Sequence, residues 1–148
     1  MNRLLAFLAF VAFGAVALIG CNHHDATTTP AGPVPVKSLQ LNAPGAMVDL
    51  EAALPAGYVT VVDFWGEHCG ACVVVGGMLA VQVAHDPKVL IRKIDVGDGF
   101  TPIAEKHEVS ALPHFKIYDY DKQLRATLIG NQCLDAPRIA RAIAAERP

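Results

Sequence analysis

The run Tyr58-Val59-Thr60-Val61-Val62-Asp63-Phe64-Trp65 constrains the fold more than any other part of this chain. It is almost continuously apolar and rich in β-branched residues. A strand with one face in water would alternate apolar and polar positions, so this one is expected to be covered on both faces. Such a strand belongs in the middle of a sheet with helices above and below it, which places the chain in the α/β class. Asp63 breaks the run. A carboxylate inside an apolar strand is costly unless it has a partner or a task. Just beyond the strand stand Cys69 and Cys72, two residues apart.

The flanking segments supply the rest of a sheet-and-helix order. Residues 38–41 are expected to form a short edge strand. Residues 47–54 have helical spacing and end at Pro55 and Gly57, the usual helix punctuation. Residues 89–96 read as another strand, and 101–107 as a short helix with Pro102 in its first turn. Residues 115–120 and 124–129 flank Asp121-Lys122 and form a hairpin. A last helix is expected over 134–145, with Leu134, Ile139, Ala142 and Ile143 near one side and Pro137 in its first turn. Propensity alone leaves residues 69–85 open, because Val73, Val74 and Val75 are β-branched and Gly76 and Gly77 are interior.

The first twenty residues are not part of this fold. Arg3 precedes an apolar run over residues 4–19 that is shorter than the roughly 20 residues needed to cross a bilayer. A basic start and a short apolar stretch read as a secretory signal. The run ends at Leu18-Ile19-Gly20-Cys21, which resembles the lipobox of bacterial lipoproteins. That resemblance implies cleavage before Cys21, lipidation of Cys21 and a domain held outside the cytoplasmic membrane. Asn22 after the cysteine leans toward the outer membrane. The alternative is an uncleaved anchor helix with an incidental cysteine.

Residues 22–37 are rich in threonine and proline and lack apolar periodicity, so they read as a tether. His23 and His24 within it are expected to be linker residues rather than metal ligands. The division is therefore 1–20 signal peptide, 21–37 lipidated N-terminus and flexible tether, and 38–146 a folded domain. A length of 148 residues suits one domain, and the formal charge of −2 argues against a nucleic-acid partner.

The stretch Val62-Asp63-Phe64-Trp65-Gly66-Glu67-His68-Cys69-Gly70-Ala71-Cys72 resembles the active-site segment of the thioredoxin family. Val109-Ser110-Ala111-Leu112-Pro113-His114-Phe115 resembles that family's cis-proline loop, and Gly130 its glycine after the hairpin. The resemblance spans roughly 38–146 and implies a thioredoxin-like fold, a central mixed β-sheet flanked by helices on both faces. It also favours helix for residues 69–85. No histidine follows Cys72, which excludes the usual c-type haem motif, and no second Cys-x-x-Cys completes a zinc site. Neither cofactor nor resident metal is predicted.

The resemblance implies thiol–disulfide exchange through a Cys69–Cys72 redox disulfide. Cys69 at a helix start is the attacking thiolate, favoured by free backbone N–H groups and the helix dipole. Cys72 resolves the mixed disulfide, Asp63 accepts its proton, and Pro113 frames the substrate. Trp65, His68, Gly70, Ala71, Leu112, His114 and Gly130 are the expected substrate contacts.

Several positions depart from the family pattern. Ala71 replaces proline, His68 tryptophan, His114 threonine and Val73 lysine. The family's buried lysine partner of the aspartate is absent, its place falling at Ile91. Lys93, on the same strand face, substitutes only if it reaches inward. Cys133 is the odd cysteine of the mature chain, and its plain reading is a free buried thiol.

The leading functional expectation is a membrane-tethered protein-disulfide reductase with protein disulfide or dithiol substrates and a membrane thiol electron donor. An oxidase or isomerase stays open within the same chemistry. From another class, His68, Cys69, Cys72, His114 and Cys133 supply ligands for a copper-binding module. A binding domain of this fold without turnover is the third reading.

Overall fold

A computed structural model describes residues 33–147. Cys21, the expected signal peptide and most of the tether lie outside the described residues. The elements run β1 (Ser38–Gln40), α1 (Leu50–Ala53), β2 (Val59–Trp65), α2 (Gly70–Gln82), β3 (Val89–Asp95), α3 (Pro102–Lys106), β4 (His114–Tyr118) and β5 (Leu124–Ile129). A 3₁₀ turn (Gly130–Asp135) then leads into α4 (Ala136–Ala144). Among the described residues no helix is long and apolar enough to cross a membrane.

The strands form one mixed sheet in the order β1-β3-β2-β4-β5. β3 runs parallel to both β1 and β2, while β4 is antiparallel to β2 and to β5. A parallel pair needs a long crossover, and α2 provides it between β2 and β3. β2 is central, as its apolar run requires.

The pleat divides β2 between two cores. Val59 and Val61 face α2 and α4 together with Leu79, Val83, Ala140 and Ile143. Val62 and Phe64 face α1 and α3 together with Leu50, Leu54, Ile103 and Ala104. Helices therefore cover both faces, as expected.

The residues that form α2 are poor helix formers, and tertiary contacts override that weakness. Cys69 caps its first turn, and Cys72, Leu79 and Val83 are buried beneath it. Two expected boundaries shift. Asp49 caps α1 by accepting from the Ala52 amide at 3.1 Å, so the helix begins at Leu50 and Met47 stays exposed outside it. The last α-helix begins only at Ala136, because Gly130 enters it at φ 60° through the 3₁₀ turn. Its buried side is accordingly Ala136, Ala140 and Ile143, while Leu134 and Ala142 are exposed.

Candidate active site

The site lies where β2 ends. Trp65 is its last residue, and the loop 66–69 carries the chain to the start of α2. Gly66 is required there, because a Cβ would sit 2.7 Å from the Gly97 carbonyl oxygen. Cys69 is the N-cap of α2 and forms a disulfide with Cys72, with Cα atoms 5.2 Å apart. The Cys72 amide donates to Cys69 Sγ at 3.1 Å. Cys69 is partly exposed and Cys72 is buried, so a partner can reach only the first sulfur directly. His68, Gly70 and Ala71 are exposed around it.

Asp63 sits one pleat back from Trp65, on the face that α2 covers, and is 1% exposed. Its Oδ1 has no hydrogen-bond partner among the described residues. Burial pushes its carboxyl up to about 6, and the Lys93 charge opposes that rise. The β2–β3 register pairs Asp63 with Lys93, and the Lys93 ammonium does reach inward, to 4.0 Å from Asp63 Oδ2. The same ammonium lies 4.4 Å from the Trp65 ring centroid, and the Trp65 indole donates to Gln40 Oε1 at 3.0 Å. Trp65 is therefore tied toward the β1 edge while part of it stays open.

The Phe64–His114 register brings Pro113 alongside the Trp65 end of β2. The Leu112–Pro113 peptide is cis. Leu112 is half-buried, and the Pro113 carbonyl accepts from the Gly130 amide at 2.8 Å. The Cys133 thiol donates to the Leu128 carbonyl at 3.3 Å and lies 3.5 Å from the Pro113 carbonyl. Cys133 is 1% exposed, and burial pushes its thiol up to about 11. The fold thus brings Cys69, Cys72, Asp63, Pro113 and Gly130 to one end of the sheet.

His114 is a correction. It was expected to contact substrate, yet it is 1% exposed and faces the α1 and α3 layer, the other side of the sheet from Asp63. Its ring packs edge-on against Phe64 at 5.7 Å between centroids, with His107 on the same phenyl ring at 5.3 Å. Burial and the nearby Lys116 hold both imidazoles below the ordinary histidine range. His114 and Cys133 lie in opposite cores, so the five candidate copper ligands are not brought together. Sequence reasoning did not single out this histidine pair, because nothing in the spacing of His107 and His114 marks them as neighbours.

A family model for thioredoxin matches residues 50–143. The chain belongs to the thioredoxin family. Thioredoxin-1 of Saccharomyces cerevisiae is 29% identical over 82 residues, which cover 55% of this chain and 78% of that protein. The mitochondrial thioredoxin of Mus musculus is 43% identical over a shorter stretch of 54 residues, 36% of this chain and 32% of its own. Among solved structures, a reduced Schistosoma mansoni thioredoxin pre-protein superposes with a TM-score of 0.58 at 20% identity, covering 73% of this chain and 99% of that one. The oxidised thioredoxin of Plasmodium falciparum gives 0.54 at 23% identity, over 74% and 99%. These two likenesses concern the fold. With its Cys69–Cys72 pair at the helix start, this member of the thioredoxin family is a thiol–disulfide oxidoreductase.

Proposed function

We propose that the protein is a membrane-tethered, extracytoplasmic reductase of protein disulfides. One observation carries the chemistry: Cys69 Sγ accepts the Cys72 amide at the N-cap of α2, with the buried Asp63 carboxyl behind the pair. In the reduced protein that amide and the helix dipole favour a thiolate on Cys69. The Cys69 thiolate attacks one sulfur of a partner disulfide, and the first partner thiolate leaves and takes a proton from water. Cys72 gives its proton to Asp63 and attacks Cys69 Sγ. The 69–72 disulfide forms, the second partner thiolate leaves, and two electrons have passed to the partner. Pro113 and the half-buried Leu112 lie at the same end of the sheet as the reachable sulfur, and Gly70 and Ala71 leave room for a partner chain.

The setting rests on the sequence. The Leu18-Ile19-Gly20-Cys21 motif after the apolar run supports lipidation at Cys21 and attachment to a membrane outside the cytoplasm, with Asn22 leaning to the outer membrane. A reductase held outside the cytoplasm needs a source of electrons there, and a membrane thiol donor is the one proposed.

Insulin reduction tests the chemistry. Cys69→Ser abolishes it, and Cys72→Ser accumulates a mixed disulfide through Cys69. A potential near about −270 mV supports a reductase, whereas one near about −120 mV makes the protein an oxidase. Labelling cells with radioactive palmitate tests the anchor: label on the full chain that disappears with Cys21→Ala supports it, and an unlabelled chain overturns it.

A further inference from the structure

α2 runs from Gly70 to Gln82 without one charged side chain. A helix that is apolar all round belongs inside a protein or a membrane, yet α2 lies on the surface. Cys72, Leu79 and the capping residue Val83 point into the core. The outward side carries Val74, Gly77, Met78 and Val81, with Val73 along its edge, and all five are exposed. Val74 is 61%, Met78 44% and Val81 77% exposed, so the stripe is open to a partner rather than half sunk in the core. A contiguous apolar stripe on a surface marks a contact face.

The spacing of the stripe points to what covers it. Residues 74, 77, 78 and 81 follow the i, i+3, i+4, i+7 spacing of one helical face, with a valine at either end. The pattern is therefore symmetric about its centre. A two-fold axis requires such self-complementarity, because it lays the same patch of both copies against itself. With the axis between residues 77 and 78, antiparallel helices bring Val74 of each copy to Val81 of the other. Gly77 meets its own counterpart at the centre, where it opens onto free space.

The charges at the two ends of α2 agree with this. Exposed Glu67 stands just before the helix and lines a cavity with His68 and Asp98. Past the other end stand exposed His85 and Lys88, and Arg141 of α4, which pairs with Asp86 at 2.9 Å. One end is acidic and the other net basic. Antiparallel pairing sets the acidic end of each copy toward the basic end of the other, while parallel pairing opposes like charges. The acidic end also disfavours an anionic bilayer against this face.

We infer that the outward face of α2 is a docking surface for a second copy of this chain, packed antiparallel about Gly77 and Met78. A helix of 13 residues is about 20 Å long. Its face buries less than the roughly 800 Å² per partner of a standard interface, so the pair is weak in dilute solution. The membrane attachment proposed above, through a tether ending at Cys21, supplies the missing local concentration, and the strength of the pairing rests on that reading. Both active sites stay open, because the two Cys69 residues lie at opposite ends of the contact, about 20 Å apart.

Cysteine cross-linking of the full chain on phosphatidylcholine liposomes tests the pairing. Copper phenanthroline is the oxidant, and Cys69→Ser with Cys72→Ser removes the active-site thiols. Gly77→Cys links to itself, and Val74→Cys links to Val81→Cys when the two are mixed. Val74→Cys alone, Val81→Cys alone and Thr127→Cys on exposed β5 do not link. Val81→Asp lowers the Gly77→Cys link about tenfold, because a carboxylate buried without a partner is costly. With the active-site cysteines intact, Val81→Asp leaves insulin reduction within about twofold, since residue 81 is about three turns from Cys69.

Self-links of Val74→Cys and Val81→Cys without the mixed link mean a parallel pair and overturn the arrangement. No link above the Thr127→Cys control overturns the docking surface for a second copy, and a dye on Val81→Cys that shifts to the blue on the same liposomes then assigns the face to lipid. Either result leaves the Cys21 anchor standing. A chain that takes up no palmitate overturns the anchor instead, and the same cross-links at raised protein concentration then decide the pairing.

Discussion

The Lys93 ammonium reaches across from β3 and stands 4.0 Å from Asp63 Oδ2, two residues along the strand from where the family keeps its buried lysine. The aspartate thus retains a cationic partner that arrives from a different strand position. Lys93 is about one third exposed, and the Trp65 ring lies against its ammonium. Water screens the pair, so its contribution is on the order of 1 kcal/mol.

Lys93→Met removes the one charge among the described residues that opposes the rise of the Asp63 carboxyl. The carboxyl moves further above about 6, by about half to one pH unit at the screened strength of the pair. Carbon-13 NMR of the Asp63 carboxyl reads the change as a higher titration midpoint. A midpoint that stays in place or moves down would show that Lys93 does not act on Asp63.

Asp63 also weakens the fold. Its carboxyl titrates at about 6 in the folded chain and near 4 when unfolded, so the folded state holds the proton more tightly. Stability therefore falls as pH rises from about 4 to about 6 and stays low above that. Asp63→Asn should be more stable than the parent at pH 7.5 by about 1–3 kcal/mol, with the difference vanishing below about pH 4. Urea unfolding at the two pH values measures it.

His114 and His107 act with the opposite sign. Their folded imidazoles lie below the ordinary histidine value, held down by burial and Lys116, with Lys106 adding to the effect on His107. Their contribution is complete above about pH 6.5 and is lost as pH falls through the folded values. His114→Thr should flatten the loss of stability between pH 7 and 5. Urea titrations in an Asp63→Asn background isolate the effect, because the carboxylate's opposing slope is then absent. An unchanged slope would remove His114 from the account.

Cys133 should be chemically silent. Its thiol is buried and pushed up to about 11, so it offers almost no thiolate at pH 8. In the reduced protein iodoacetamide should modify Cys69 within minutes and reach Cys133 only after denaturation, as peptide mass mapping will record. Cys133→Ala should leave insulin reduction within about twofold and cost about 1 kcal/mol of stability. Rapid native labelling of Cys133 would contradict its burial.

Much of the frame was legible because it depends on local pattern. The double-sided apolar run of β2 requires a central strand, the Cys69-x-x-Cys72 spacing requires a turn that can close a disulfide, and turn residues mark the hairpin. The α2 segment was legible only through family resemblance, because its valines and glycines argue against helix until Leu79 and Val83 are buried. The fate of His114 was hidden for a different reason. A residue beside the proline loop looks exposed in one dimension, and only the pleat of β4 turns its ring away from the site.

What the sequence by itself determined is the chemistry on offer: two cysteines at helix-start spacing, an aspartate embedded in an apolar strand, and a proline loop downstream. Each is a property of residues close together in the chain. The tertiary structure alone decided which of them act on one another. Strand register set Lys93 beside Asp63, and burial separated the partly exposed Cys69 from buried Cys72 and Cys133. The physical reason is that charge interaction and desolvation depend on distance and surrounding atoms, and those are settled only when distant segments pack.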